Sequence, residues 1–238
     1  AMENVNIQIH HNEVVGLVGE NGAGKSTLLK ILSGVYQLDE GEMLLNNVPI
    51  NLKSARDAFD HGIGMVFQEQ SILLNLSIAE NIFLGREDDF LKVGVINKKL
   101  MLEATRFELE KVKLEIDPRQ LCDKLTFAQR QLVEIAKALS IERASYESII
   151  ILLDEPTSVL DKAEIELLFD QIDELKSRVT WIFVSHRLDE VLEVSDRIYV
   201  MRNGNVVGDI KTENANLGEL YKLMVGRELK HEYYKESR

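Results

Sequence analysis

One cysteine, three prolines and one tryptophan are all that the 238 residues contain of those types. The lone Cys122 excludes an internal disulfide and any zinc cage built from several cysteines. No uninterrupted apolar run exceeds Ile149 to Leu153, far short of the roughly 20 residues that a membrane-spanning helix needs. No secretory leader is visible at the start. Any membrane association is therefore expected to be peripheral, through partner subunits. Basic residues are also scarce: 28 Lys and Arg stand against 40 Asp and Glu, a net charge of −12. A general nucleic-acid binder usually carries a basic face, so no nucleic-acid partner is expected. The acidic balance leaves an anionic ligand open, because a site can be locally positive. Internal repeats and low-complexity segments are missing too. What remains, 45% hydrophobic and 29% charged, is the composition of an ordinary globular chain, enough for one core domain with a smaller subdomain.

Hydrophobic spacing sets out the elements. Val5, Ile7 and Ile9 alternate with polar residues, which predicts a half-buried strand before a turn at His10-His11-Asn12. Residues 13–18 predict a second strand ending at Gly19, and Ser26 to Leu32 a helix that Gly34 stops. Asn46-Asn47 predicts a hairpin, Ser54 caps a short helix through Phe59, and Ile63 to Phe67 reads as a strand. From 70 to 140 the strand signal gives way to helices. Ser77 and Glu80 form a capping box for residues 78–84. A polar loop spans 85–95, and helices span Lys98 to Leu114, with a solvated charged face, and Phe127 to Leu139. The alternation then resumes. Ser148 to Leu153 is continuous and apolar, as a central parallel strand buried on both faces requires. Helix 162–176, strand 180–184, helix 188–194, strand 197–201, an Asn203-Gly204 turn, strand 205–210 and helix 217–225 follow. Trp181 and Cys122 read as packed core, and His10, His11, His61 and His231 as ordinary histidines.

This pattern predicts an α/β fold with a mostly parallel sheet, an antiparallel β portion at the N-terminus, and an all-helical insert. The core takes residues 1–69 and 141–238, the insert 70–140. Ligands of such sheets sit beyond the carboxyl ends of the strands.

The residues that bear chemistry gather at those ends. Gly19-Glu20-Asn21-Gly22-Ala23-Gly24-Lys25-Ser26 fits G-x-x-x-x-G-K-[ST], between a predicted strand and a predicted helix, with Thr27 following. Glycines let the backbone curl until successive N–H groups face phosphate oxygens, and the helix adds its positive end. Lys25 adds a mobile charge near the β- and γ-phosphates. The Ser26 hydroxyl suits Mg²⁺, and Thr27 reaches the α-phosphate. The run to Leu153 delivers Asp154 and Glu155 beyond a buried strand taken to lie beside the phosphate loop. Asp154 is the candidate outer ligand of Mg²⁺, and Glu155 the candidate to orient or deprotonate an attacking water. His186 ends another strand and can meet the γ-phosphate or the water. Gln68 ends the strand at Phe67, where it can touch Mg²⁺ or the water while opening the insert.

Taken in order, Gly19 to Thr27, Gln68, Ile149 to Pro156, Ser158 to Asp161 and His186 resemble the motif set of an ABC-transporter ATPase, a P-loop NTPase, over nearly the whole chain. Val66 to Arg86, Leu132 to Ser140 and Met224 to Leu229 are similar to the monosaccharide-import ATPases of ribose, galactose or xylose type. Those carry two ATPase halves in one polypeptide, and this chain resembles the first. The resemblance implies ATP as substrate with Mg²⁺, and a second ATPase half packed head to tail. It also implies transmembrane permease subunits, a periplasmic or extracellular sugar-binding protein acting indirectly, and a place on the cytoplasmic face of the membrane. Residues 71–86 are expected to dock the membrane subunits.

The chain departs from the pattern in three places. The signature segment, normally Leu-Ser-Gly-Gly-Gln, here reads Leu125-Thr126-Phe127-Ala128-Gln129. Thr126, Phe127, Ala128 and Gln129 would serve the ATP of the partner, so one competent and one weakened site are expected; otherwise Phe127 simply staples a helix end to the insert. An aromatic residue that stacks on adenine belongs upstream of Ala1, so base recognition is expected to be incomplete within this chain. The stretch Ser140 to Glu147 lengthens the gap before Asp154, as a surface-loop extension. Asp161 is either a contact to the facing half or the cap of the next helix. A nucleotide-binding regulatory half with weak or no turnover and a non-transport ABC ATPase remain as alternatives.

Overall fold

The computed structural model describes residues 2–3, 5–68, 71–92, 94–141 and 149–226. Ser148, the extension at 142–147, the end of the 224–229 segment and His231 lie outside them.

A six-stranded sheet organises the chain. β1 (Val14–Gly19), β4 (Ile63–Val66), β7 (Ile149–Asp154), β8 (Val179–Val184), β9 (Arg197–Arg202) and β10 (Asn205–Lys211) pair in the order β10-β9-β1-β8-β7-β4. Every pairing is parallel except β10 with β9. The central strands are apolar at successive positions because both faces are covered. Val14, Val18, Ile151, Leu153, Trp181 and Phe183 enter one core cluster; Val15, Leu17, Leu152, Ile182, Val184 and Tyr199 enter the other. Alternate residues of one strand thus feed opposite layers, as the period of two demands.

One layer holds α1 (Lys25–Leu32), α2 (Ala55–Asp60) and the hairpin of β2 (Met43–Leu45) with β3 (Val48–Ile50). The hairpin turns through Asn46 and Asn47, at φ 52° and 61°, the left-handed pair that a tight hairpin turn needs. The other layer holds α3 (Ile78–Ile82), α4 (Lys98–Lys111), α5 (Phe127–Leu139), α6 (Lys162–Leu175), α7 (Leu188–Val194) and α8 (Leu217–Val225). Ser77 and Glu80 form the capping box expected of them. Trp181 and Cys122 are fully buried.

Three expectations change. Residues 5–9 keep the predicted alternation of half-buried and exposed side chains but form no strand. The buried Tyr199 hydroxyl occupies their backbone instead: it accepts from the Gln8 N–H at 3.0 Å and donates to the Gln8 carbonyl at 2.8 Å. Among the described residues, antiparallel pairing in the N-terminal part is confined to β2 and β3. Between α3 and α4, the expected loop contains a one-turn 3₁₀ helix at Glu87–Phe90 and a short hairpin of β5 (Leu91–Lys92) with β6 (Val95–Ile96). α4 stops at Lys111, ahead of Lys113 in the left-handed region. Its charged face is not wholly solvated, because Glu108 and Lys111 pair at 2.9 Å with side chains 11% and 7% exposed.

Replacing the Tyr199 hydroxyl tests the tether. Tyr199→Phe should cost about 0.5–1.5 kcal/mol, the usual net worth of an intramolecular hydrogen bond, in urea unfolding. Amide exchange should accelerate at residues 5–9 and not in β1; an unchanged exchange pattern would mean the segment is held by apolar packing alone.

Candidate active site

β1, β8, β7 and β4 lie side by side and parallel, so their carboxyl ends open at one edge. The loop 19–24 leaves β1 there, His186 follows β8, Asp154 ends β7 with Glu155 next, and Gln68 follows β4. The strand bearing Asp154 is not the neighbour of β1, as the sequence suggested. β8 lies between them, about two strand spacings in all, and the first turn of α1 bridges the distance.

Glycine makes that bridge possible. A Cβ on Gly19 would stand 2.4 Å from the Met201 carbonyl oxygen. Gly24, at φ +105°, caps α1 with no side chain, which leaves the positive end of the helix to the loop. Glu20, Asn21, Gly22 and Thr27 are exposed, whereas Ala23 packs inward. Lys25 is 6% exposed; its ammonium donates to the carbonyls of Gly19 at 2.8 Å and Glu20 at 3.1 Å. Burial pushes its pKa down, against the pull of the Glu155 and Asp154 carboxylates.

Ser26 Oγ donates to Asp154 Oδ1 at 3.3 Å. Asp154 is 5% exposed, and burial pushes its pKa above the ordinary carboxylate range, with Glu155 adding to the effect and Ser26, Lys25 and Lys30 opposing it. A hydroxyl and a carboxylate this close are hard oxygen donors of the kind Mg²⁺ takes alongside phosphate. Glu155 stands at φ +48°, a left-handed conformation that costs a non-glycine residue about 1–3 kcal/mol. Its N–H is held by the Val184 carbonyl at 2.9 Å, and its own carbonyl accepts from Ser158 N–H at 3.3 Å. The turn sends its carboxylate to two partners: Oε2 accepts from Gln68 Nε2 at 3.4 Å and meets His186 Nδ1 at 3.2 Å. Lys25, Ser26, Gln68, Asp154, Glu155 and His186 are thus joined by direct contacts or shared fields.

The signature residues stand elsewhere, at the start of α5. Thr126 and Gln129 make a reciprocal capping box. Ala128 packs on the core, while Phe127 is 36% exposed. Asp161 caps α6, accepting from Glu164 N–H at 2.9 Å.

Residues 2–158 match the ABC transporter family. Across 234 residues the chain is 40% identical to the ribose import ATP-binding protein RbsA of Clostridium perfringens, covering 98% of this chain and 46% of that one. It is 41% identical over 230 residues to the galactose/methyl galactoside import ATP-binding protein MglA 1 of Photobacterium profundum, covering 96% and 45%. The chain belongs to the ABC transporter family. It spans less than half the length of these curated relatives. Among solved structures, the ADP conformation of MJ1267, an ATP-binding cassette of an ABC transporter, superposes with a TM-score of 0.79 at 26% identity, covering 95% of this chain and 93% of that one. A dimeric post-hydrolysis cassette, MJ0796 bound to ADP and Pi, gives 0.71 at 26% identity, covering 89% and 90%.

Within this ABC-family site, sequence spacing missed the polar ties beneath the loops. Thr157, Ser185 and Arg187 all converge on buried Glu190, and Glu134 of α5 accepts from the Ser71 N–H beyond Gln68. The one local signal was an acidic residue near the start of α7, which dipole stabilisation explains equally well.

Asp154 yields a test of this ABC cassette's electrostatics. Its folded pKa lies above its unfolded value, so between the two the native state binds more protons and stability falls as pH rises through that window. Above its unfolded pKa the Asp154 carboxyl group therefore costs stability. Asp154→Asn should raise the nucleotide-free Tm by about 2–4 °C for each ~1 kcal/mol recovered, and the gain should disappear at acid pH, where Asp154 is protonated in both states. Calorimetry at both pH values checks this; an unchanged Tm at neutral pH contradicts it.

Proposed function

We propose that the chain is an ATP-binding and hydrolysing half of an importer for a monosaccharide. The observation that carries the reading is the Glu155 carboxylate, contacted by both Gln68 and His186 beside the Ser26–Asp154 pair. Gly19 to Thr27 would wrap the triphosphate with backbone N–H groups, and Lys25 would exchange its carbonyl partners for phosphate oxygens. Ser26, Asp154 and Gln68 would hold Mg²⁺, which when bound neutralises charge on the phosphates. Glu155 would orient the attacking water and accept its proton, and His186 would hold Glu155 and the γ-phosphate in register. Asp154, lying deeper and bonded to Ser26, is the poorer base.

Residues 70–140 are read as a subdomain on a core of 1–69 and 141–238, supported by the mutual packing of α3, α4 and α5. Leu73, Leu74, Leu84 and Leu121 are exposed around α3, which supports docking of permease subunits there. Among the described residues, no helix is long and apolar enough to cross a membrane, in keeping with a peripheral place on the cytoplasmic face. A second half would pack head to tail, with Asp161 near the junction, and a sugar-binding protein would act through the permease. The exposed Phe127 at the first turn of α5 favours one competent and one weakened site, because its ring stands where the family presents glycine backbone to the partner's γ-phosphate.

Glu155→Gln should bind Mg-ATP unchanged and lose on the order of 10²–10⁴-fold in turnover when assembled with a second half. Retained turnover there removes Glu155 from the role of base. In the isolated chain, where a homodimer would present Phe127 to both sites, basal phosphate release should be low. Phe127→Gly should raise it about tenfold, equivalent to ~1.4 kcal/mol of barrier; no rise means that Phe127 does not obstruct.

A further inference from the structure

Beneath the loops that carry Glu155 and His186 lies a carboxylate with no assigned task. Glu190, in the first turn of α7, is 5% exposed. Its Oε2 accepts from Thr157 Oγ1 at 2.6 Å and from Ser185 Oγ at 2.9 Å. Its Oε1 accepts from Arg187 Nη1 at 2.8 Å, and the Arg187 N–H donates in turn to Ser185 Oγ at 3.0 Å. Thr157 lies two residues past Glu155, and Ser185 and Arg187 bracket His186. One buried carboxylate therefore binds the loop after β7 to the loop after β8 on both sides of the histidine.

Packing alone does not call for a charge there. α7 already has an apolar anchor in the fully buried Val191, and a buried carboxylate is costly unless it is paired and hydrogen-bonded. With three donors on its two oxygens, Glu190 fixes what an apolar side chain would leave free: the separation of two loops that leave different strands. Those loops carry the His186–Glu155 contact at 3.2 Å, and one of them contains the left-handed residue Glu155. Such a turn persists only when its surroundings over-determine it.

We propose that Glu190 is a positioning residue of the hydrolytic centre, holding Glu155 and His186 in register through Thr157, Ser185 and Arg187. The proposal rests on the ATPase reading given above. The phosphate loop and Lys25 belong to β1 and α1, outside this network, so loss of Glu190 should slow the chemical step and spare nucleotide affinity.

The test uses the full chain carrying Glu190→Gln, Thr157→Val or Thr157→Ser, with Mg-ATP affinity by calorimetry, single-turnover hydrolysis after assembly with a second half, and imidazole NMR assigned with His186→Gln. Glu190→Gln should lower the single-turnover rate about tenfold, as a modest misplacement of reacting groups does, with Kd within about twofold. Thr157→Val should behave alike, and Thr157→Ser should recover most of the lost rate. The His186 imidazole signals should shift and broaden in Glu190→Gln and Thr157→Val, while those of His61 stay in place. Wild-type rate or unmoved His186 signals in a folded Glu190→Gln chain overturns the proposal. If Glu190→Gln does not fold, the threonine pair decides, and Thr157→Ser no better than Thr157→Val overturns it. If the unmutated chain cleaves no ATP even when assembled with a second half, the hydrolytic reading fails by itself, and the His186 signals still decide whether Glu190 positions the ring.

Discussion

Parallel pairing of β1, β8, β7 and β4 is the constraint on which the rest of the molecule depends. Parallel strands must all end on the same side, so loops far apart in sequence are delivered to one edge. Gly19, Gln68, Asp154 and His186 are spread over most of the chain, yet each follows or ends one of these strands. The pairing in turn depends on full burial: Val14 to Gly19 and Val179 to Val184 are buried at every position, and only helices packed on both faces allow that. Core packing and site assembly are therefore one problem. A fault in either layer would move that edge.

At that edge the electrostatics are deliberately unfinished. Burial works against charge on both Lys25 and Asp154, and their mutual attraction across the site offsets only part of it. A cation on Asp154 and an anion on Lys25 would each relieve the imbalance, and the proposed magnesium nucleotide would bring both signs. The left-handed turn at Glu155 has the same logic. Its backbone cost is met by the Val184 and Ser158 hydrogen bonds, and the return is a carboxylate aimed at Gln68 and His186.

Local chemistry that a few neighbouring residues determine was legible in the sequence. The glycine loop after β1 is set by its own glycines, the caps at Ser54 and Ser77 by residues three positions on, and α5 and α7 by their apolar spacing. What depended on distant partners was not. Alternation at Val5, Ile7 and Ile9 predicted a strand correctly in side-chain facing and wrongly in pairing, because the competing partner was a hydroxyl 191 residues away in β9. Strand order was hidden for the same reason, so β8 came unannounced between the loop and Asp154. Glu190 was invisible because Thr157 and Ser185 gain their meaning only when two loops meet in space.

The most direct measurement of the central claim is a crystal structure of the chain soaked with Mg²⁺ and a non-hydrolysable ATP analogue. The account predicts triphosphate density within hydrogen-bonding reach of the backbone N–H groups of residues 19–27, a metal ion touching Ser26 and Asp154, and Glu155 facing the terminal phosphate. Nucleotide bound elsewhere, or a loop at 19–27 that stays empty at saturating analogue, would contradict it.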